Sequence, residues 1–112
     1  MHGTNPEIAL RRELHRRGLR FYVEYHSAAG RPDLAFPSLR LAVFVDGDVW
    51  HGHAERRVPD AWRPKIDANV HRDAVVNARL RDQGWTVLRI WESDIRRNLD
   101  ACVEAVTRAA GR

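Results

Sequence analysis

The run Leu41-Ala42-Val43-Phe44-Val45-Asp46-Gly47-Asp48-Val49-Trp50-His51-Gly52-His53 decides how this chain is read. Its first five residues are apolar without a break, the pattern of a strand buried on both faces rather than one alternating between core and water. A strand covered on both faces needs helices on both, which predicts an α/β fold with this strand inside the sheet. Gly47 ends the strand. Around and after it come two acids, Asp46 and Asp48, and two imidazoles, His51 and His53, more polarity than a connecting loop requires.

Working outward, Leu34-Ala35-Phe36 is a short strand closed by Pro37, and Gly30-Arg31-Pro32 before it is turn chemistry. Phe21 to Tyr25 alternates aromatic and β-branched residues and reads as another strand. The chain opens with a helix: Thr4 or Asn5 as cap, Pro6 in the first turn, Glu7 able to close a capping box, and Gly18 as the stop. Ile8, Leu10 and Leu14 form its apolar stripe, with Arg11, Arg12, Arg16 and Arg17 on the exposed face. Beyond a polar loop containing Gly52 and Pro59, a second helix is predicted from Pro64 to Arg81, with Ile66, Val70, Ala74 and Leu80 inward and Gly84 as terminator. Trp85 to Trp91 is a strand, placing Trp85, Val87, Arg89 and Trp91 on one side. A last helix runs from about Asp94 to Ala109 on Ile95, Leu99, Cys102, Val103 and Val106. The predicted order is α-β-β-β-α-β-α, a mixed sheet flanked by helices, in one domain spanning residues 1–112. The helix between the last two strands makes their connection a crossover.

Composition narrows the partner. Nineteen Lys and Arg oppose fifteen Asp and Glu in 112 residues, a net charge of +4, and Lys65 is the single lysine. Arginine grips phosphate through a planar fork, which suits nucleic acid, although a GC-rich genome also favours arginine. No apolar run is long enough to span a bilayer, and no leader pattern opens the chain, so a cytoplasmic protein is expected. Cys102 is alone and forms no internal disulfide.

Three places depart from packing. Asp33 starts a strand after Gly30-Arg31-Pro32. Asp46, Asp48, His51 and His53 follow the buried run. Asn69 and Asp73 stand at i and i+4 on one helical face. Carboxylates at adjacent strand ends can converge on one divalent cation. Mg²⁺ takes oxygen ligands and keeps its waters, so one or two carboxylates with a backbone carbonyl suffice. An imidazole such as His51 can accept a proton from water, and an acid on its far nitrogen, a part Asp73 could take, would orient the ring. Each feature alone has an ordinary explanation as turn, cap or solvated surface. Together, and in this order, they point to chemistry on a phosphodiester. Arg31, Arg72, Arg11 and Arg12 are candidate phosphate contacts.

The segments Pro6 to Leu14, Gly30-Arg31-Pro32-Asp33-Leu34, Val43-Phe44-Val45-Asp46-Gly47, Trp50-His51, Asn69-Val70-His71-Arg72-Asp73 and Gly84 to Glu92 resemble the very short patch repair endonucleases. That resemblance spans most of the chain and implies the restriction-endonuclease-like fold. It also implies a metal-dependent DNA endonuclease using Mg²⁺ or Mn²⁺, nicking or cutting both strands, with double-stranded DNA as partner. By it, Asp33 and the Val45 carbonyl hold the metal, His51 activates water, Glu7 holds metal-bound water, Asp73 supports His51, and Asn69 is a polar neighbour. Trp50 and Trp62 match aromatic residues that approach or wedge into the DNA stack.

Departures from the family pattern carry information too. Repair enzymes hold a structural zinc with cysteines and a histidine here. Asp48 and Ser93 stand at two of the cysteine positions and Glu55 lies near a third, so no structural zinc is expected. Val49 replaces the aromatic residue before the tryptophan, and the N-terminal arm of the repair enzymes is expected to be missing; both weaken the DNA wedge. Asp46, where repair enzymes often have histidine, could add a carboxylate to the metal. Mismatch repair and restriction or phage defence are both open as roles, with repair or defence proteins as further partners. A catalytically silent DNA-binding module, or a partner subunit of a larger nuclease system, is the rival reading.

Overall fold

A computed structural model describes residues 5–26, 30–53 and 57–111. Helix α1 is Pro6–Arg16, followed by strands β1 (Tyr22–Val23), β2 (Leu34–Phe36) and β3 (Leu41–Asp46), helix α2 (Arg63–Asp82), strand β4 (Thr86–Trp91), and helices α3 (Glu92–Arg97) and α4 (Leu99–Ala109). The strands form one sheet in the order β1-β2-β3-β4, antiparallel over the first three and parallel between β3 and β4.

β3 is the interior strand that its apolar run predicts. Val43 pairs with Leu34 on one side and with Leu88 on the other, and Leu41 to Phe44 are all buried. Side chains leave a strand alternately, so the run serves two cores. Leu41 and Val43 pack with Leu10 and Leu14 of α1, Ile95 of α3, and Val103 and Val106 of α4. Ala42 and Phe44 pack with Leu80 of α2, with Val76, Trp85 and Val87 around them. The mixed sheet with helices on both faces stands as expected. Each fully buried leucine contributes about 1.5–3 kcal/mol, and Leu10, Leu14, Leu34 and Leu41 are completely buried.

Several local expectations are corrected. The last helix is two: at Asn98 the backbone turns out of helical geometry, and the Asn98 side chain accepts a hydrogen bond from Ala101 N at 3.1 Å, capping α4. Asparagine offers the backbone this alternative to continued helix. β1 is shorter than Phe21 to Tyr25 because Glu24 takes a positive φ of 47°. The hairpin arm nevertheless continues, with Glu24 N and Tyr25 N donating to the Asp33 and Pro32 carbonyls. In α1, Ile8 is exposed and Asn5 is the cap, its side chain accepting from Glu7 N at 2.9 Å; Thr4 lies outside the described residues.

The largest correction concerns α2. Val70 and Ala74 are exposed and lie off the sheet side of the helix, which is Ile66, Asn69, Asp73, Val76, Asn77 and Leu80. That is a proper helical spacing with a polar middle. The apolar stripe fails there because Asn69, Asp73 and Asn77 find hydrogen-bond partners after β3 and on β4.

Candidate active site

The site forms where β2 gives out beside β3. The β2 ladder ends at Leu34↔Val43, so the Val45 N–H lies beyond it and donates instead to Asp33 Oδ2 at 2.7 Å. In an extended residue the N–H and C=O point to the same edge, so the Val45 carbonyl shares that edge with the Asp33 carboxylate. Burial pushes the Asp33 carboxyl above its ordinary value, opposed by the Val45 hydrogen bond and by the Arg11 cation.

Across the cleft, the segment after β3 turns back on itself: His51 N donates to the Gly47 carbonyl and His53 N to the Asp48 carbonyl. Gly52, at φ 74°, lets it lie against α2, since a Cβ there would come within 2.7 Å of Val70 Cγ2. Asn69 fastens the same segment by donating from Nδ2 to the Trp50 carbonyl at 3.0 Å. These contacts deliver the His51 ring to α2, where Nδ1 lies 2.6 Å from Asp73 Oδ2. A carboxylate only accepts, so Nδ1 donates, and in the neutral ring Nε2 keeps the lone pair.

Asp46, buried beneath this pair, meets an arginine that sequence reading did not single out. Arg89 Nη1 lies 3.0 and 3.2 Å from the two Asp46 oxygens and 3.5 Å from Asp73 Oδ1. Its Nε donates to Asn77 Oδ1 at 2.8 Å, and the guanidinium sits 4.1 Å over the Phe44 ring. Desolvation raises the Asp46 carboxyl, with Arg89 and then His51 opposing it. The signal was present in β4: Arg89 shares a strand face with Val87, where packing alone would ask for an apolar side chain.

Asp33, Val45, Asp46, His51, Asp73 and Arg89, with Arg31 and Arg72 at the rim, line one cleft of about 290 Å³. Glu7 does not line it. Its carboxylate pairs with Arg11, one helical turn on, rather than closing a capping box, and Arg11 links it electrostatically to Asp33. Arg11 is therefore half-buried rather than on the open face, while Arg12 is exposed. Trp50 and Trp62 are neighbours, with ring centroids 5.2 Å apart and the Lys65 ammonium 4.9 Å over Trp50, and both remain about two-fifths exposed.

The hard oxygens of Asp33 and Val45 suit Mg²⁺ or Mn²⁺. Among the described residues, the cluster of three ligand-type side chains is Asp46, His51 and Asp73, whose ligand atoms lie within 4.8 Å of one another. Beside the loop after β3, the Ser93 N–H donates to Asp48 Oδ1 at 3.2 Å, and His53 packs on Trp91 with centroids 4.6 Å apart. Glu55 lies outside the described residues. No helix among the described residues is long and apolar enough to cross a membrane.

Residues 1–57 match the family model described as DNA mismatch endonuclease Vsr. The chain is 40% identical to the type II nicking enzyme V.NmeDIP of Neisseria meningitidis serogroup C, over 96% of this chain and 77% of that protein. It is 43% identical to the type II nicking enzyme V.XorIIP of Xanthomonas oryzae, over 82% of this chain and 72% of that one. Identity to the DNA mismatch endonuclease Vsr of Escherichia coli is 38%, covering 80% of this chain and 62% of the other. In structure it resembles the catalytic domain of the homing endonuclease I-Bth0305I, with a TM-score of 0.71, 17% identity, and 96% and 94% of the two chains covered. That last likeness concerns the fold.

Proposed function

Because this chain belongs to the family of the DNA mismatch endonuclease Vsr, we propose that it is a DNA endonuclease that uses Mg²⁺ or Mn²⁺ to hydrolyse one phosphodiester bond in a strand of duplex DNA. The observation that carries this reading is the His51–Asp73 pair, held at 2.6 Å, facing the Asp33–Val45 edge across one cleft. Asp33 and the Val45 carbonyl would hold the cation. When bound, the cation polarises the phosphodiester and offsets the charge that builds on its oxygens.

The chain's own groups supply the rest. Asp73 fixes the His51 tautomer, so Nε2 is free to take a proton from the attacking water, a contribution of about 10²–10⁴-fold in rate. One P–O bond forms to that water's oxygen, one P–O bond of the backbone breaks, and the leaving sugar oxygen takes a proton from solvent. Arg31 and Arg72 at the rim are placed to contact phosphate, and Arg12 to extend that contact along α1. The Trp50–Trp62 pair offers apolar faces to unstacked bases. Names of the relatives support mismatch repair or a restriction-linked nicking role; a cytoplasmic setting alongside repair or defence proteins is part of the same proposal.

The test is cleavage of matched and thymine–guanine mismatched duplexes, and of supercoiled plasmid, with Mg²⁺, Mn²⁺ or EDTA. Metal-dependent conversion of supercoiled to nicked circles is expected. DNA bound tightly but left intact in every metal would make the chain a silent binding module instead.

A further inference from the structure

We propose that Arg89 is the resident cation of this site: it holds Asp46 and Asp73 in one pocket, keeps Asp73 against His51, and confines a divalent ion to the Asp33 side of the cleft. The inference rests on the nuclease reading and deepens it.

Asp46, His51 and Asp73 have the composition and spacing of a three-ligand cation site. Two contacts argue that the pocket is already satisfied. Both Asp46 oxygens lie within 3.2 Å of Arg89 Nη1. His51 Nδ1, hydrogen-bonded to Asp73 at 2.6 Å, carries a proton there and has no lone pair for a metal. A divalent ion entering this pocket would have to displace a guanidinium held from three further directions, by Asp73, Asn77 and the Phe44 ring. At the Asp33–Val45 edge, Arg89 and Arg11 act on Asp33 through their charge alone, and the Asp33 side chain accepts its hydrogen bond from the Val45 N–H.

Arg89 also solves a problem of repulsion. Asp46 and Asp73 come from different elements, β3 and α2, and both approach His51 Nδ1, at 3.9 and 2.6 Å. Without a cation between them, two carboxylates this close disfavour each other's charge, and Asp73 would be drawn off the imidazole. Arginine suits the task better than lysine, because a planar fork bonds Asp46 and Asn77 at once and stacks on Phe44. Arg89 is thus a positioning residue that acts through Asp73 and His51.

The experiment is calorimetric titration of Mn²⁺ into the full chain without DNA, run beside steady-state nicking. Wild type should bind one Mn²⁺, and Asp33→Asn none. Arg89→Met should gain a second Mn²⁺ while kcat falls about 10–100-fold and KM for the duplex changes less than about threefold. Arg89→Lys should keep a single ion and recover part, not all, of kcat. Either a wild-type kcat or an unchanged single-ion stoichiometry in Arg89→Met overturns the inference. Should Arg89→Met not fold, Arg89→Lys decides, and a kcat equal to wild type overturns it. A wild-type chain that binds no Mn²⁺ and nicks nothing is a different result, which removes the nuclease reading and this inference with it.

Discussion

His51 Nδ1 and Asp73 Oδ2 meet at 2.6 Å although 22 positions separate them in the chain. The contact needs the segment after β3 to fold onto α2, and it decides which imidazole nitrogen can take a proton. Asp73→Asn keeps the shape but lets the amide donate, which favours the wrong tautomer. We expect kcat to fall about 10–100-fold, with KM for DNA and the thermal midpoint nearly unchanged. Single-turnover cleavage with circular dichroism melts checks this; a kcat within twofold of wild type, by the ordinary reading of mutant kinetics, would sink the tautomer role.

Asp33 sets function against stability. Its carboxylate is desolvated, so in the absence of metal its charge costs free energy at neutral pH. Asp33→Asn keeps an oxygen that accepts from the Val45 N–H and removes the charge. The metal-free variant should therefore melt slightly above wild type, and should not cleave. Adding Mn²⁺ should raise the wild-type midpoint and leave the variant's where it was, because only a state that binds ligand is stabilised by it.

Glu13 should govern part of the acid limb of stability. Hydrogen bonds from Arg16 and Arg17 lower its carboxyl from 4.5 to about 2. A depressed folded value means the stabilisation is complete above 4.5 and is lost as pH falls from there toward 2. Arg17 also reaches Asp100 and Glu104, at 3.6 and 3.8 Å, so the network ties α1 to α4. Melting curves of wild type and Glu13→Gln across that range should converge toward the acid end. Curves offset by a constant amount at every pH would remove Glu13 as the titrating group.

The exposed Trp50–Trp62 pair should act on DNA rather than on folding. Base–aromatic stacking contributes about 1–3 kcal/mol per base, so Trp62→Ala should weaken duplex binding roughly 5–150-fold. The melting temperature should barely move, because Trp62 is already exposed. Fluorescence anisotropy with a mismatched duplex measures the first effect. Unchanged affinity in both Trp62→Ala and Trp50→Ala would place the DNA elsewhere.

Much of this site was legible in order and residue type. The apolar run ending at Val45 announced an interior strand with His51 just beyond it, while Asp33 was marked by its place at the start of another strand and Asp73 by its i,i+4 spacing from Asn69 on one helical face. The face of α2 was misread for a related reason. Periodicity counts apolar positions, and Val70 and Ala74 were the apolar choices, but the inward places belong to Asn69, Asp73 and Asn77. Polar side chains are buried only where distant partners compensate their desolvation. Those partners, Arg89 on β4 and the Trp50 carbonyl after β3, are far off along the chain.

By itself, the sequence determined the interior strand, the α/β class, the family and the identity of the chemical groups, because local patterns of apolarity and a motif's order survive without coordinates. Tertiary structure decided what each charge is for. It gave both Asp46 oxygens to Arg89 across 43 positions and brought His51 Nδ1 to Asp73 across 22. A buried charge takes its role from whichever opposite charge the fold brings within about 4 Å, and that distance exists only after the strands have paired.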